Sequence, residues 1–160
     1  MHSNFKQLEG TRQITFGESF ISFISDPEQS DRIQLSYHFR DDEKVLYAQV
    51  IFGIRAQGPP GFAHGGAISA VFDELMGATC WLAGSPALTA QFTTRYFQKL
   101  PLDTSVLFEC HIRTQMDQKI SLRAKVSDGQ GLSYASARGL FIAMDQNKLD
   151  ALFKETPEKL

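Results

Sequence analysis

Apolar and polar positions change period twice along this 160-residue chain, and the changes outline its elements. Ile33, Leu35, Tyr37 and Phe39 alternate with polar residues, the mark of a half-buried strand. Arg40 to Lys44 reads as a charged turn, and Val45 to Ile54 as a second, more apolar strand, so the pair predicts a hairpin. Gly58-Pro59-Pro60-Gly61 then interrupts any regular element. From Gly65 the period lengthens: Ile68, Val71, Phe72, Leu75, Met76 and Thr79 recur at helical spacing and make one apolar face. Ala83-Gly84-Ser85-Pro86 stops that helix. Alternation returns in Leu88 to Phe97, in Val106, Phe108, Cys110 and Ile112, in Ile120, Leu122, Ala124 and Val126, and from Leu132 to Met144. Turns at Pro101 to Thr104, Gln115 to Lys119 and Asp128 to Gly131 separate these four strands. The pattern predicts an antiparallel meander with Glu109, Arg113, Arg123 and Lys125 on its outer face. Two strands, one helix and four more strands predict an α+β fold: a sheet of about five or six strands curled around one long central helix.

The flanks are less patterned. Residues 1–30 read as an arm, with a short helix at Phe5 to Leu8, an edge strand or extended segment from Ile14 to Ile24, and a turn at Asp26-Pro27-Glu28. Residues 145–160 read as a short, fraying helix, and nothing marks a linker or repeat, so 1–160 is taken as one domain. Apolar residues at 42% and charged residues at 21% are ordinary for a globular chain, while thirteen Phe point to aromatic core packing or an apolar ligand surface. A net charge of −2 and the lack of a visible basic stripe argue against nucleic acid as a partner. Cys80 and Cys110 stand alone, with no CxxC or His cluster, and read as reduced core thiols; no metal or cofactor is expected. The polar N-terminus lacks the core of a signal peptide, and no apolar run reaches the ~20 residues that span a bilayer. A cytoplasmic protein without a membrane span is the expectation.

The helix carries the chemistry. Opposite its apolar face stand Gly66, Ser69, Ala70, Gly77 and Cys80, so it reads as buried on both sides. Asp73 lies among these small residues, with Glu74 beside it. A carboxylate there is either partnered or functional: it reaches solvent, pairs with an Arg from a neighbouring strand, or reacts. Glu74, turned about 100° around the axis, faces a basic partner or the rim. At the helix start, His64-Gly65-Gly66 offers backbone N–H groups that an oxygen approaches without meeting a side chain, at the positive end of the helix dipole. Such a terminus suits a developing oxyanion. Gly66 and Asp73 are about 10 Å apart along the axis, too far for one carbonyl to touch both in one chain. Either they do unrelated jobs, or two antiparallel helices in a two-fold dimer bring the Gly66 of one subunit beside the Asp73 of the other.

The run HGGAISAVFDELMG, with GPPGF before it and LTAQFTTRYFQKLP after it, resembles the hotdog-fold acyl-CoA thioesterases of the PaaI-like group, over about residues 45–143. The resemblance implies that His64 and Gly66 open the central helix, that Asp73, nine residues after the His, is the catalytic carboxylate, and that Thr89 (or, with poorer spacing, Thr93) positions water. It implies a homodimer with sites at its interface, and a tetramer by further pairing. Gly66 N–H, with Gly65, would hold the thioester carbonyl, and Asp73 of the partner would act as base or nucleophile. His64 orients the loop or polarises the thioester, or only bonds backbone. Arg95 and Lys99, and with them Arg55, meet CoA phosphates or are solvated strand ends. Phe62, Phe72, Met76, Trp81 and Phe92 line an acyl tunnel or are plain core. One departure stands out: many PaaI-like members carry an Asn six residues before the His, where this chain has Gly58. Two other functions on this scaffold are weighed against hydrolysis. Hydratases and dehydratases have a different sequence around their His, and non-catalytic acyl-CoA sensors are expected to lack the acid.

Overall fold

A computed structural model describes residues 5–15, 22–24 and 31–155. The turn expected at Asp26-Pro27-Glu28, most of the segment from Ile14 to Ile24, and residues 156–160 lie outside them. Among the described residues seven strands form one antiparallel sheet: β1 (Arg12–Ile14), β2 (Ile33–Arg40), β3 (Val45–Phe52), β4 (Ala87–Tyr96), β5 (Ser105–Met116), β6 (Lys119–Ser127) and β7 (Ser133–Ala143). Helix α1 (Gly65–Leu82) packs against β3 to β7, and α2 (Gln146–Glu155) follows the last strand. The α+β reading and the expected hairpin hold, with β2 and β3 paired from Ile33↔Phe52 to Arg40↔Val45. The strand beyond the expected six is β1, whose three residues are too few to show alternation. The short helix expected at Phe5 to Leu8 is a single 3-10 turn, Lys6–Leu8.

The order β1-β2-β3-β5-β6-β7-β4 corrects the meander. Of the four strands after the helix, only β5, β6 and β7 run consecutively; β4 lies at the far edge against β7, and β5 returns to pair with β3. Alternation tells which residues face inward and nothing about which strands are neighbours. The return segment is fixed by Ala63 N–H to Leu100 O (2.9 Å), Leu102 N–H to Gly61 O (3.1 Å) and Asp103 N–H to Phe52 O (2.9 Å). Leu100 is buried beneath it.

The apolar face of α1 meets the sheet as its spacing predicts. Phe72, Leu75 and Met76 are fully buried among Phe52, Phe108 and Phe141, and the Phe72 ring stands edge-on to Phe108 at 4.9 Å. Each such burial contributes about 1.5–3 kcal/mol. Close packing of α1 on β7 needs Gly139, since a Cβ there would lie 2.7 Å from Met76 Sδ. The helix ends at Gly84, whose φ of +84° lets Ser85 N–H reach Cys80 O at 2.9 Å.

One open reading and one expectation are decided by this packing. Phe72 and Met76 are fully buried and belong to the core, the second of the two readings their spacing allows. Cys80 is fully buried beside that core and not on the small-residue face. The remaining members of that face, Ser69, Ala70 and Gly77, are half-buried and Gly66 is exposed, so one side of α1 is uncovered in the single chain. On the sheet's opposite surface, Phe5 and Leu8 cover Val45, Tyr47 and Leu107. Among the described residues no helix is long and apolar enough to cross a membrane.

Candidate active site

The Gly-Pro turn holds the start of α1. Gly58 N–H donates to Phe62 O (2.9 Å), Gln57 Oε1 accepts from Gly61 N–H (2.8 Å), and His64 N–H donates to Ala56 O (2.8 Å). A side chain at position 58 would collide with His64 Cα at 2.9 Å, so the Asn that many PaaI-like proteins carry does not fit this turn as it stands. His64 keeps an extended backbone and caps the helix, its Nδ1 accepting from Gly66 N–H at 2.9 Å. That bond leaves the ring proton on Nε2 and occupies the donor that the sequence assigns to a carbonyl. Gly65 N–H has no acceptor among the described residues.

Strand β4 clasps this end of the helix. Tyr96 OH donates to Gly65 O (2.7 Å) and lies 2.6 Å from Ser69 Oγ, which in turn lies 3.1 Å from Thr94 Oγ1. A Cβ at Gly65 would come within 3.3 Å of the Tyr96 ring. Sequence reasoning missed Tyr96, Ser69 and Thr94 as a group, because the signal is one of parity and a bulge resets it. Pairing of β4 with β7 slips between Thr89 and Gln91, so Thr89 and then Phe92, Thr94 and Tyr96 all oppose inward-facing β7 positions.

That bulge brings Thr89 to Asp73. Thr89 Oγ1 donates to Asp73 Oδ1 at 2.7 Å, while Oδ2 has no partner among the described residues. Asp73 is half-buried on the uncovered face of α1, and Thr89 is exposed. Among the described residues nothing basic is bonded to this carboxylate, so the ion-pair reading of Asp73 finds no support. Asp73 with Thr89, and His64 with Gly66, are thus two separate bonded pairs on one helix.

Glu74 faces neither a basic partner nor the open rim. It accepts hydrogen bonds from Tyr37 OH and from Ser22 Oγ (2.6 Å), pinning the N-terminal arm to α1. Burial first, then the Glu74 charge, pushes the Tyr37 phenol well above its ordinary range. A cavity of about 260 Å³ lies beside these groups, lined by Phe23, Arg32, Arg55, His64, Gly66 and Ala70 among others. Arg32 and Gln57 were not singled out by sequence; Arg32 stacks over Phe23 at 5.2 Å. Lys99 lies over the Phe62 ring at 5.3 Å near the Gly-Pro turn, whereas Arg95 points to the opposite surface of the sheet. Among the described residues no cluster of His, Cys, Asp and Glu could hold a metal ion.

The sequence model of the thioesterase superfamily matches residues 60–135, from the Gly-Pro turn into β7. Human acyl-coenzyme A thioesterase THEM5 is 33% identical over 93 residues, which cover 58% of this chain and 38% of that protein. Mouse acyl-coenzyme A thioesterase THEM4 is 32% identical over 97 residues, 60% of this chain and 42% of that protein. The chain therefore spans about two fifths of the length of these relatives. Among solved structures, a thioesterase superfamily protein with 27% identity matches with a TM-score of 0.64, over 68% of this chain and 53% of its own. A Streptococcus mutans protein bound to acetyl CoA matches at 0.67 with 16% identity, over 81% and 97%. The E. coli PaaI protein from the phenylacetic acid degradation operon matches at 0.62 with 16% identity, over 71% and 80%. At that identity the last two show the shared fold. Over residues 60–135, and on a helix-and-sheet core shared with these solved structures, the chain is similar to the thioesterase superfamily.

Proposed function

We propose that this chain hydrolyses acyl-CoA thioesters, in a homodimer whose two sites each take Gly66 from one subunit and Asp73 from the other. The observation that carries this reading is the Asp73 carboxylate, held on one oxygen by Thr89 and open on the other, on a helix face of small residues. The names of THEM5 and THEM4 and the acetyl CoA bound to the S. mutans protein support the substrate class. The carbonyl oxygen lies at the helix start, on Gly65 N–H and on Gly66 N–H once the His64 ring turns aside, and the helix dipole stabilises its developing charge. Asp73 of the second subunit takes a proton from water as the water oxygen bonds to the carbonyl carbon. The C–S bond then breaks, and CoA leaves as thiolate and is protonated. Direct attack by Asp73 through an acyl anhydride, which water then opens, uses the same geometry. Phe62 with Lys99 at the Gly-Pro turn, and Arg55 in the neighbouring cavity, are placed to meet the CoA arm.

Release of thiol from short, long and aromatic acyl-CoAs tests this. Asp73→Asn should lose on the order of 10²–10⁴-fold in rate while remaining dimeric by light scattering. Mixing it with Gly66→Ala, inactive through its clash with the His64 ring, should restore about a quarter of wild-type activity, because half the dimers then carry one intact site. Equal rates for wild type and Asp73→Asn would remove Asp73 from the chemistry. Restoration absent from verified mixed dimers would put both residues' roles within one subunit. The His64 bond to Gly66 N–H favours one competing reading, a protein that binds acyl-CoA without turnover; binding without thiol release by the wild type would establish it.

A further inference from the structure

The sheet surface facing away from α1 holds a groove of about 790 Å³. Its basic lining is Arg95 from β4, Arg138 from β7, Arg123 and Lys125 from β6, and Arg113 from β5, with the His111 imidazole beside them. The expectation that no basic stripe exists is corrected here: the cations are scattered along the sequence, and strand pairing gathers them. Register places Thr93, Arg138, Arg123 and His111 opposite one another in one row across four strands. Adjacent strands lie roughly 4.8 Å apart, and like charges directly opposite one another, as at Arg123↔Arg138, oppose pairing. The one carboxylate in the groove, Glu109, is already shared by His111 Nε2 at 2.5 Å and Lys125 Nζ at 3.2 Å. Among the described residues none of Arg95, Arg113, Arg123 and Arg138 has a carboxylate partner. This charge is local, for the chain as a whole carries −2.

We infer that this groove is a binding site for a nucleoside diphosphate. Guanidinium forks match phosphate oxygens in pairs, and a diphosphate laid across Arg123 and Arg138 removes the repulsion that their register creates. Ser133 and Ser136 add hydroxyl donors, and Phe97, 53% exposed at the rim, offers a face on which a base stacks. The volume suits a nucleotide-sized ligand. A second copy of this chain is a poor occupant, because two-fold pairing through this surface would bring two sets of the same cations together. The described segment at Phe5 and Leu8 is not the occupant either, for it already sits on Val45, Tyr47 and Leu107. The groove lies across the sheet from Asp73 and Thr89, so it stands independently of the hydrolytic reading. Two sources offer the same chemistry: a free nucleotide such as ADP, and the ADP portion of CoA, the latter resting on that reading.

Calorimetric titration of the full chain with ADP, inorganic pyrophosphate and poly-glutamate tests the site. ADP should bind saturably and raise the melting temperature, and pyrophosphate should compete with it. The double variant Arg123→Gln/Arg138→Gln should weaken ADP binding by at least about tenfold while melting no lower than wild type without ligand. If the double variant also raises KM for an acyl-CoA but not for the matching acyl-pantetheine, the ligand is the ADP portion of CoA. If KM for both is unchanged while ADP binding is lost, it is a free nucleotide. Affinity for ADP that is equal in wild type and variant, or poly-glutamate binding without ADP binding, overturns the assignment. The binding arm needs no turnover, so its failure is separate from failure of the hydrolase reading.

Discussion

The two faces of α1 are made from the same eighteen residues and obey different rules. On the inward face, Phe72, Leu75 and Met76 are fully buried, and burial of apolar area accounts for every one of them. On the outward face, Ser69, Ala70, Asp73 and Gly77 are only half-buried and Gly66 is exposed, and two glycines weaken a helix that Ala would strengthen. The stability of the single chain explains the first face and not the second. The outward face makes sense if something comes close to it, which is the dimer of the proposed function.

Three substitutions press on this contrast, beginning with the largest effect. Phe72→Ala should lower unfolding free energy by about 3–5 kcal/mol, measured by denaturant titration, because the cavity opens against Phe108 inside a packed core. A loss below about 1 kcal/mol would mean that the inward face is looser than described. Gly77→Leu should leave the folding of each subunit nearly unchanged, since its Cβ meets only Phe141 Cε1 at 3.9 Å. It should weaken self-association by about 1–3 kcal/mol, read by analytical ultracentrifugation; unaltered assembly would mean that no partner approaches there.

The smallest effect lies on the other surface of the sheet. The hydrogen bond with His111, then Lys125, hold the Glu109 carboxyl below its ordinary range despite burial. Its folded pKa is lower than its unfolded one, so its stabilisation is fully present above the unfolded value, about 4.3, and disappears as pH falls through the folded value. The stability gap between wild type and Glu109→Gln should therefore be larger at about pH 6 than below about pH 4. A gap that widens in acid would refute the sign.

Legibility in the sequence followed the range of the interactions. The bounds of α1, the β2–β3 hairpin and the strands after the helix came from period alone, because burial imposes 3.6- and 2-residue repeats on neighbouring positions. Asp73, His64 and Gly66 stood out as a carboxylate among small residues and glycines at a helix start. The link from Thr89 to Asp73 came through family resemblance, and the Tyr96–Ser69–Thr94 cluster was invisible, since a bulge switched the parity that would have revealed it. Cys80 was misplaced for a related reason: its small side chain suits either face, and packing put it in the core. Burial raises the Cys80 thiol to about 11 and the Cys110 thiol to about 12, as befits buried, unpaired cysteines.

What the sequence determined by itself was each element's kind, extent and apolar face, because those depend on residues a few positions apart. Which strands became neighbours was decided only by the tertiary structure. It placed β4 at the sheet edge, turned Glu74 toward two hydroxyls, and gathered the cations of three hairpin-linked strands and β4 into one groove. Those outcomes depend on contacts between residues far apart in the chain, and the order of strands in a sheet leaves no periodic trace in any one of them.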